Sequence, residues 1–300
     1  MGAMIKAKRI GHAVFSTADL DKEIDHYCDV VGLQLVERDR QRAFLATNSG
    51  QLSVVLELGS RENCDAISFE VSKTMSFDDM ARELSAQGLK SEIRNDSVPG
   101  LAQVLRFSDI KGTQLELFSE PRFVPKGPPK GGATALKLGH VAFVVNDPKA
   151  TADFYAKVLG FRVSDWIGDF FVFMRCGVDH HTVNFIRGAT VKMHHIAFEM
   201  RDTAHLHNAL DQLGQKRIEI IWGPVRHGPG HNVAAYHLDP SGQMIEFFAE
   251  LDQMSDEEDG FFDPKPWHRD LPQKPKIWNP NEQRDMWGVG PTAKFINFSK

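Results

Sequence analysis

The hydrophobic pattern of this chain repeats between its two halves. An apolar strand at residues 11–15 (GHAVF) recurs at residues 139–143 (GHVAF), and each is followed by apolar positions at helical spacing. An aspartate precedes each predicted helix as an N-cap, and a glycine, Gly32 or Gly160, ends it. The pattern therefore predicts two equivalent strand–helix units.

A second repeat completes each half. Residues 66–70 (AISFE) match residues 195–199 (HIAFE), and an amphipathic helix is predicted after each of them. Both halves then close with a turn that leads into a last strand, at residues 109–118 and 239–248. The chain thus holds four units, each with a strand, a helix and further strands, which predicts an α+β fold of two domains.

Proline and glycine mark the predicted domain boundaries. Residues 121–132 hold four prolines and three glycines, so we predict a linker at 121–135 between an N-terminal domain, 8–120, and a C-terminal domain, 136–250. The remaining residues, 251–300, form a tail with six prolines. The tail also contains three tryptophans, Trp267, Trp278 and Trp287. This aromatic content is unusual for disordered chain, and we expect the tail to pack as a lid or a subunit contact.

Composition excludes several classes of protein. Of the 300 residues, 42% are apolar and 25% are charged, which is typical of globular domains and unlike fibrous or disordered chains. A net charge of −5 argues against nucleic acid as a partner. No apolar run reaches the roughly 18 residues of a membrane helix, and no secretory signal is evident. With three scattered cysteines, we expect a reduced cytoplasmic protein.

Three residues of metal-ligand type lie at equivalent places on predicted strands of the second half. The candidate ligands are His140, His195 and Glu246. Taken singly, each is more simply explained as a packed or outward-facing strand residue. The repeat, however, places all three on matching strands. Two imidazoles and one carboxylate on one side of a metal leave positions open for other ligands, as in non-haem Fe(II) oxygenases.

The first half is an internal control for this hypothesis. The positions equivalent to the three candidate ligands are His12, Ala66 and Glu116. Because an alanine side chain cannot bind a metal, we expect the first half to keep the scaffold without a metal site. The N-terminal domain is therefore predicted to be non-catalytic.

Two further segments of the second half are rich in acid–base residues. One is residues 180–185 (HHTVNF), and the other is residues 226–246 (RHGPGHNVAAYHLDPSGQMIE). The second segment resembles the signature of the type I extradiol ring-cleaving dioxygenases, of the vicinal oxygen chelate superfamily, near the catechol 2,3-dioxygenase group. The resemblance extends over roughly residues 8–250 in repeat order and motifs.

The resemblance has consequences for fold, site and partners. It implies paired βαβββ modules that curl into an open barrel in each domain. It implies the metal ligands His140, His195 and Glu246, with Fe(II), or alternatively Mn(II), as the cofactor. His181 is then expected near dioxygen, and His227 and Tyr236 at the substrate hydroxyls, with His231 as a further candidate substrate contact. The implied substrates are a catechol and O2, and the implied assembly is a homo-oligomer.

The function expected from the sequence is extradiol cleavage of a catechol in aromatic compound catabolism. One alternative is a 4-hydroxyphenylpyruvate-dioxygenase-like oxygenase, which would share the metal ligands but not the segment at residues 226–246. Another is a metal-free protein that binds an aromatic ligand or confers resistance to one. A glyoxalase-like isomerase would require a different ligand set.

Overall fold

A computed structural model describes residues 5–124, 131–266, 270, 272–282 and 285–298. The N-terminal domain contains two helices, α1 (Leu20–His26), continued by a π-helical turn at Tyr27–Val31, and α2 (Phe77–Ala86). Its strands are β1 (Ala7–Thr17), β2 (Gln34–Arg38), β3 (Arg42–Ala46), β4 (Leu52–Leu58), β5 (Asn63–Val71), β6 (Ser91–Val98), β7 (Leu101–Ser108) and β8 (Gln114–Phe118).

The C-terminal domain repeats this order of elements. Its helices are α3 (Pro148–Leu159) and α4 (Thr203–Gln215). Its strands are β9 (Lys137–Val145), β10 (Arg162–Ile167), β11 (Phe171–Arg175), β12 (Val183–Arg187), β13 (Lys192–Glu199), β14 (Trp222–Arg226), β15 (Val233–Leu238) and β16 (Met244–Ala249). The tail adds two short strands and a helix, β17 (Lys276–Trp278), β18 (Trp287–Gly288) and α5 (Ala293–Phe298).

Local sequence signals account for the first helix of each domain. The Asp19 side chain accepts a hydrogen bond from the Lys22 amide, and the Asp147 side chain accepts one from the Ala150 amide. Gly32 and Gly160 end the two helical segments with φ values of 82° and 71°, a left-handed conformation that favours glycine. The helix boundaries predicted from the repeat are thus confirmed.

Each domain forms one curled sheet, and the predicted α+β fold is confirmed. The order is β2-β3-β4-β1-β5-β8-β7-β6 in the first sheet, and β17-β10-β11-β12-β9-β13-β16-β15-β14-β18 in the second. The first strand of each domain pairs in parallel with the fourth and antiparallel with the fifth. As a consequence, β9, β13 and β16 are neighbours in the centre of the second sheet.

The two domains share one apolar core. Residues from both halves belong to the same buried cluster, and aromatic rings contact each other across the boundary. Tyr27 packs edge-on against Phe198, and Tyr155 packs edge-on against Phe69. No helix within the described ranges is both long and apolar enough to cross a lipid bilayer.

The tail packs onto the second sheet rather than leaving it. β17 pairs in parallel with β10, and β18 pairs antiparallel with β14, so tail strands form both edges of the sheet. Trp278 and Trp287 lie within these strands, whereas Trp267 lies outside the described residues.

Candidate metal centre and substrate cavity

Three neighbouring strands bring the candidate metal ligands together. β9 carries His140, β13 carries His195 and β16 carries Glu246. The Nε2 atoms of the two histidines are 3.2 Å apart, and each lies 3.1 Å from Glu246 Oε2. All three residues are buried. The separate repeats of the sequence therefore converge on one point in the centre of the sheet.

The electrostatics of this cluster suit a divalent cation. Burial lowers the pKa of His140, partly opposed by the nearby Glu246 carboxylate. Burial by itself would raise the pKa of Glu246, but His140 and His195 together hold it well below its usual range. The result is an ionised carboxylate facing imidazole nitrogens in an interior where an unpaired charge is costly.

The donor set fits iron or manganese. The three ligand atoms lie within 4.8 Å of one another, and mixed nitrogen and oxygen donors suit both metals. Asn232 donates from Nδ2 to Glu246 Oε1 over 3.0 Å, which leaves Oε2 for the metal. Behind His195, the Nδ1 atom of His194 lies 2.7 Å from His195 Nδ1. Hydrogen bonds of this kind, from a neighbouring residue to a ligand side chain, fix the orientation of metal ligands.

A cavity of about 440 Å³ opens directly in front of the three ligands. Its polar lining includes His181, Asn184, His227 and Tyr236. Its walls are largely apolar, formed by Ile167, Phe170, Phe171, Phe173, Ile186, Trp222, Pro229, Pro291, Phe295 and Ile296. A mostly apolar pocket with a few convergent polar groups is the usual form of a small-molecule site.

His227 and Tyr236 face each other on the hairpin of β14 and β15. His227 Nε2 lies 2.9 Å from the Tyr236 hydroxyl, and His227 Nδ1 lies 2.9 Å from Asp285 Oδ1. Burial raises the pKa of Tyr236, and the nearby Glu246 carboxylate raises it further, so the phenol keeps its proton at neutral pH. Asp285, which comes from the tail, was not predicted from the sequence.

The tail closes one side of the cavity. In α5, Phe295 packs against Trp222, with ring centroids 4.5 Å apart, and against Tyr236 at 5.1 Å. Trp222 in turn stacks on Tyr236 at 5.3 Å. Phe295, a tail residue that lines the cavity, was not identified from the sequence.

His181 lies beside the candidate ligand His140, whereas Tyr236 lies beside the candidate ligand His195. Its ring centroid is 4.2 Å from that of His140, and it is buried beside Phe173. Burial lowers the pKa of His181 well below its usual value, and His140 and His180 lower it further. His181 therefore lies beside the candidate ligand His140 as a neutral imidazole.

His231, the further substrate contact expected from the sequence, makes its described contacts outside the cavity lining. His231 is not among the residues that line the cavity. Its backbone adopts a φ of 48°, and its Nδ1 lies 2.5 Å from Asp252 Oδ2. The imidazole also packs edge-on against the Trp278 ring, with centroids 6.2 Å apart. The structure thus places His231 among buried contacts between loop and tail.

In the first domain, the two retained ligand types pair with each other. His12 Nε2 lies 3.1 Å from Glu116 Oε2, and His12 Nδ1 lies 2.9 Å from the Ser68 hydroxyl. Ala66 is buried in the adjacent strand and offers no third ligand. Among the residues described here, only the cluster in the second domain brings three ligand types close enough to hold a metal.

Comparison with known proteins identifies the family. A model of the Glyoxalase/Bleomycin resistance protein/Dioxygenase superfamily matches the chain twice, over residues 9–117 and 137–247. The chain belongs to this superfamily. The two matched regions correspond to the two sheets, and the resemblance seen in the sequence is confirmed.

Several members of the superfamily are similar over most of the chain. Metapyrocatechase from Pseudomonas sp. (strain CF600) is 26% identical over 261 residues, which cover 80% of this chain and 85% of that protein. The Mn(II)-bound glyoxalase from Novosphingobium aromaticivorans is 25% identical with a TM-score of 0.83, covering 97% of this chain and 94% of that one.

A third similar protein is homoprotocatechuate 2,3-dioxygenase from Brevibacterium fuscum, in its substrate complex with 3,4-dihydroxyphenylacetate. It is 24% identical with a TM-score of 0.82, and the match covers 99% of this chain and 93% of that one. The fold of these two structures is therefore similar to that of this chain over nearly its whole length.

Proposed function

We propose that this chain is an extradiol dioxygenase that cleaves the ring of a catechol beside its diol with O2, in aromatic compound catabolism. The observation that carries the proposal is the cluster of His140, His195 and Glu246 at the floor of a largely apolar cavity. Similarity to metapyrocatechase supports it. We further propose Fe(II) as the metal, with Mn(II) as the alternative that the donor set also accepts.

A metal held by these three ligands would orient the diol and O2 and let electron density pass from the ring to dioxygen. The residues of the chain have separate tasks around it. His227 and Tyr236 hold one substrate hydroxyl by hydrogen bonds, and Asp285 orients the His227 ring. His181, neutral and beside His140, takes a proton from the substrate and returns it at a later step.

The apolar walls contribute by excluding water from the reacting groups. The tail is proposed to act as a lid over the cavity, because Phe295 contacts both Trp222 and Tyr236. The N-terminal domain is proposed to be a non-catalytic scaffold, and the active form a homo-oligomer.

The test is oxygen uptake by the protein loaded anaerobically with Fe(II), and in parallel with Mn(II), across substituted catechols. We expect one O2 consumed per ring and a yellow hydroxymuconic semialdehyde-type product. A muconic acid, formed by cleavage between the hydroxyls, would contradict the extradiol assignment. Turnover of a 2-oxo acid would favour the 4-hydroxyphenylpyruvate-dioxygenase-like alternative, isomerase activity on a glutathione thiohemiacetal would favour a glyoxalase, and aromatic binding without metal would favour a binding protein.

Two variants separate the proposed roles. His181→Ala is expected to retain the metal and to lower turnover by roughly 10²–10⁴, the usual scale for a general acid–base group. His195→Ala is expected to lose the metal. If His181→Ala emptied the site while His195→Ala kept it, the assignment of ligands would be wrong. Metal content by mass spectrometry and oxygen uptake give the two readouts.

A further inference from the structure

A chain of buried polar groups runs away from the cavity behind His181. His181 Nδ1 lies 2.9 Å from His180 Nδ1, and His180 Nε2 lies 3.1 Å from Asp165 Oδ2. All three side chains are buried. Around His180 the neighbours are the rings of Phe173 and Phe262, at 5.8 Å and 4.8 Å between centroids.

Asp165, at the far end of this row of hydrogen-bonded side chains, indicates the direction of the hydrogen bonds. Asp165 Oδ2 accepts from the Trp278 indole Nε1 over 2.7 Å, and Asp165 Oδ1 accepts from the Lys276 amide over 2.9 Å. Neither donor can act as an acceptor, so both oxygens of Asp165 face N–H groups and the residue is held as a carboxylate. A carboxylate accepts only, and His180 Nε2 must therefore carry a proton.

When each of the two imidazoles carries a single proton, one arrangement of protons satisfies these contacts. An imidazole with its one proton on Nε2 has a lone pair on Nδ1, and at His180 this nitrogen lies 2.9 Å from His181 Nδ1, from which it accepts a hydrogen bond. His181 Nδ1 then carries the donated proton, and in a neutral His181 the remaining nitrogen, Nε2, has none. Since the His181 ring lines the cavity, this bare nitrogen is the one available to a bound molecule.

We propose that His180 and Asp165 are positioning residues that fix His181 as the tautomer with a bare Nε2 toward the cavity. This inference rests on the proposed function. In this tautomer the unprotonated Nε2 of His181 can accept a proton from a substrate hydroxyl without a prior change of tautomer. The tail takes part, because Trp278 and Lys276 hold Asp165 in place.

The test uses the full chain in its metal-free form, labelled with ¹⁵N at histidine. Two-bond proton–nitrogen NMR spectra distinguish protonated from bare ring nitrogens, and His181→Asn assigns the signals. In the wild-type protein we expect a bare Nε2 and a protonated Nδ1 at His181. His180→Leu removes the acceptor and is expected to populate the opposite tautomer.

His180→Gln is the matched conservative variant. One amide supplies both a donor for Asp165 and an acceptor for His181, so the wild-type tautomer should return. In the Fe(II)-loaded enzyme, His180→Leu is expected to lower kcat by roughly 10–100-fold with little change in KM, and His180→Gln to restore most of it.

Two results would overturn the inference. One is a protonated Nε2 at His181 in the wild-type protein, and the other is an unchanged His181 tautomer in a folded His180→Leu variant. The NMR readout needs neither metal nor catechol. A failure of the proposed function would instead appear as absent oxygen uptake in a protein whose His181 tautomer is as expected.

Discussion

Two buried histidines, His26 and His237, meet at the boundary between the domains. We expect them to make the stability of the folded protein decrease at acid pH. His26, at the end of α1, places Nε2 3.3 Å from Nε2 of His237 on β15. Burial lowers the pKa of His26 from 6.5 to about 4, and the charge of Lys216 lowers it further. Burial also holds the pKa of His237 well below its usual value, with His26 contributing. Both imidazoles are therefore neutral in the folded protein near neutral pH.

The sign of the pH effect follows from these shifts. His26 in the unfolded chain binds a proton as the pH falls through about 6.5, whereas in the folded chain it does so only near pH 4. The free energy of unfolding is therefore unaffected by the titration of His26 above about pH 6.5. Below that pH it decreases as the pH falls toward 4, because the unfolded chain binds the proton more readily. At about 1.4 kcal/mol per pH unit, the loss between roughly pH 7.5 and pH 5 is about 2 kcal/mol.

Urea unfolding of the wild-type protein and His26→Gln at about pH 7.5 and pH 5 measures this difference. The variant cannot titrate at position 26, so its free energy of unfolding should fall by about 2 kcal/mol less than that of the wild type. His207→Gln is the control, because His207 is exposed on α4, and it should behave like the wild type. An equal loss in His26→Gln and the wild type would refute the reasoning.

Three further predictions concern the site. Asn232→Leu removes the donor to Glu246 Oε1 and should weaken metal affinity by roughly 10–100-fold in a metal titration; unchanged affinity would contradict the positioning role. Phe295→Ala removes a ring that contacts Trp222 and Tyr236 and should raise KM for a catechol about tenfold, for roughly 1.4 kcal/mol of lost contact; an unchanged KM would argue against a lid. The double variant His12→Ala with Glu116→Gln should keep one metal per chain, because Ala66 gives the first domain no third ligand; a fall from two metals to one would contradict this.

The sequence predicted the features that depend on local pattern. The order of strands and helices along the chain follows from the repeat, and the helix ends follow from an N-cap aspartate and a C-terminal glycine that act within their own helix. The convergence of His140, His195 and Glu246 also followed from the repeat. Equivalent strands occupy equivalent places in each sheet, so three separate motifs could be assigned to one point.

The partners of these residues depend on tertiary contacts that no local pattern encodes. Asp285 and Trp278 come from the tail, and they reach His227 and Asp165 only because β17 and β18 pair with the edges of the sheet. His231 shows the converse. It lies in the segment that predicted the site, but its side chain contacts Asp252 and does not line the cavity.

The first domain contacts the strands of the candidate metal site through its packing, and its own His12 and Glu116 pair with each other. The amide of Ser241, in the turn between β15 and β16, donates to Glu23 Oε1 of α1 over 2.8 Å. Its hydroxyl lies 3.0 Å from that of Thr17, at the end of β1. Together with the contact between His26 and His237, these hydrogen bonds hold β15, which carries Tyr236, and β16, which carries Glu246, against the first domain. Although the first domain has Ala66 in place of a third ligand type, it supports two of the strands from which the candidate site is built.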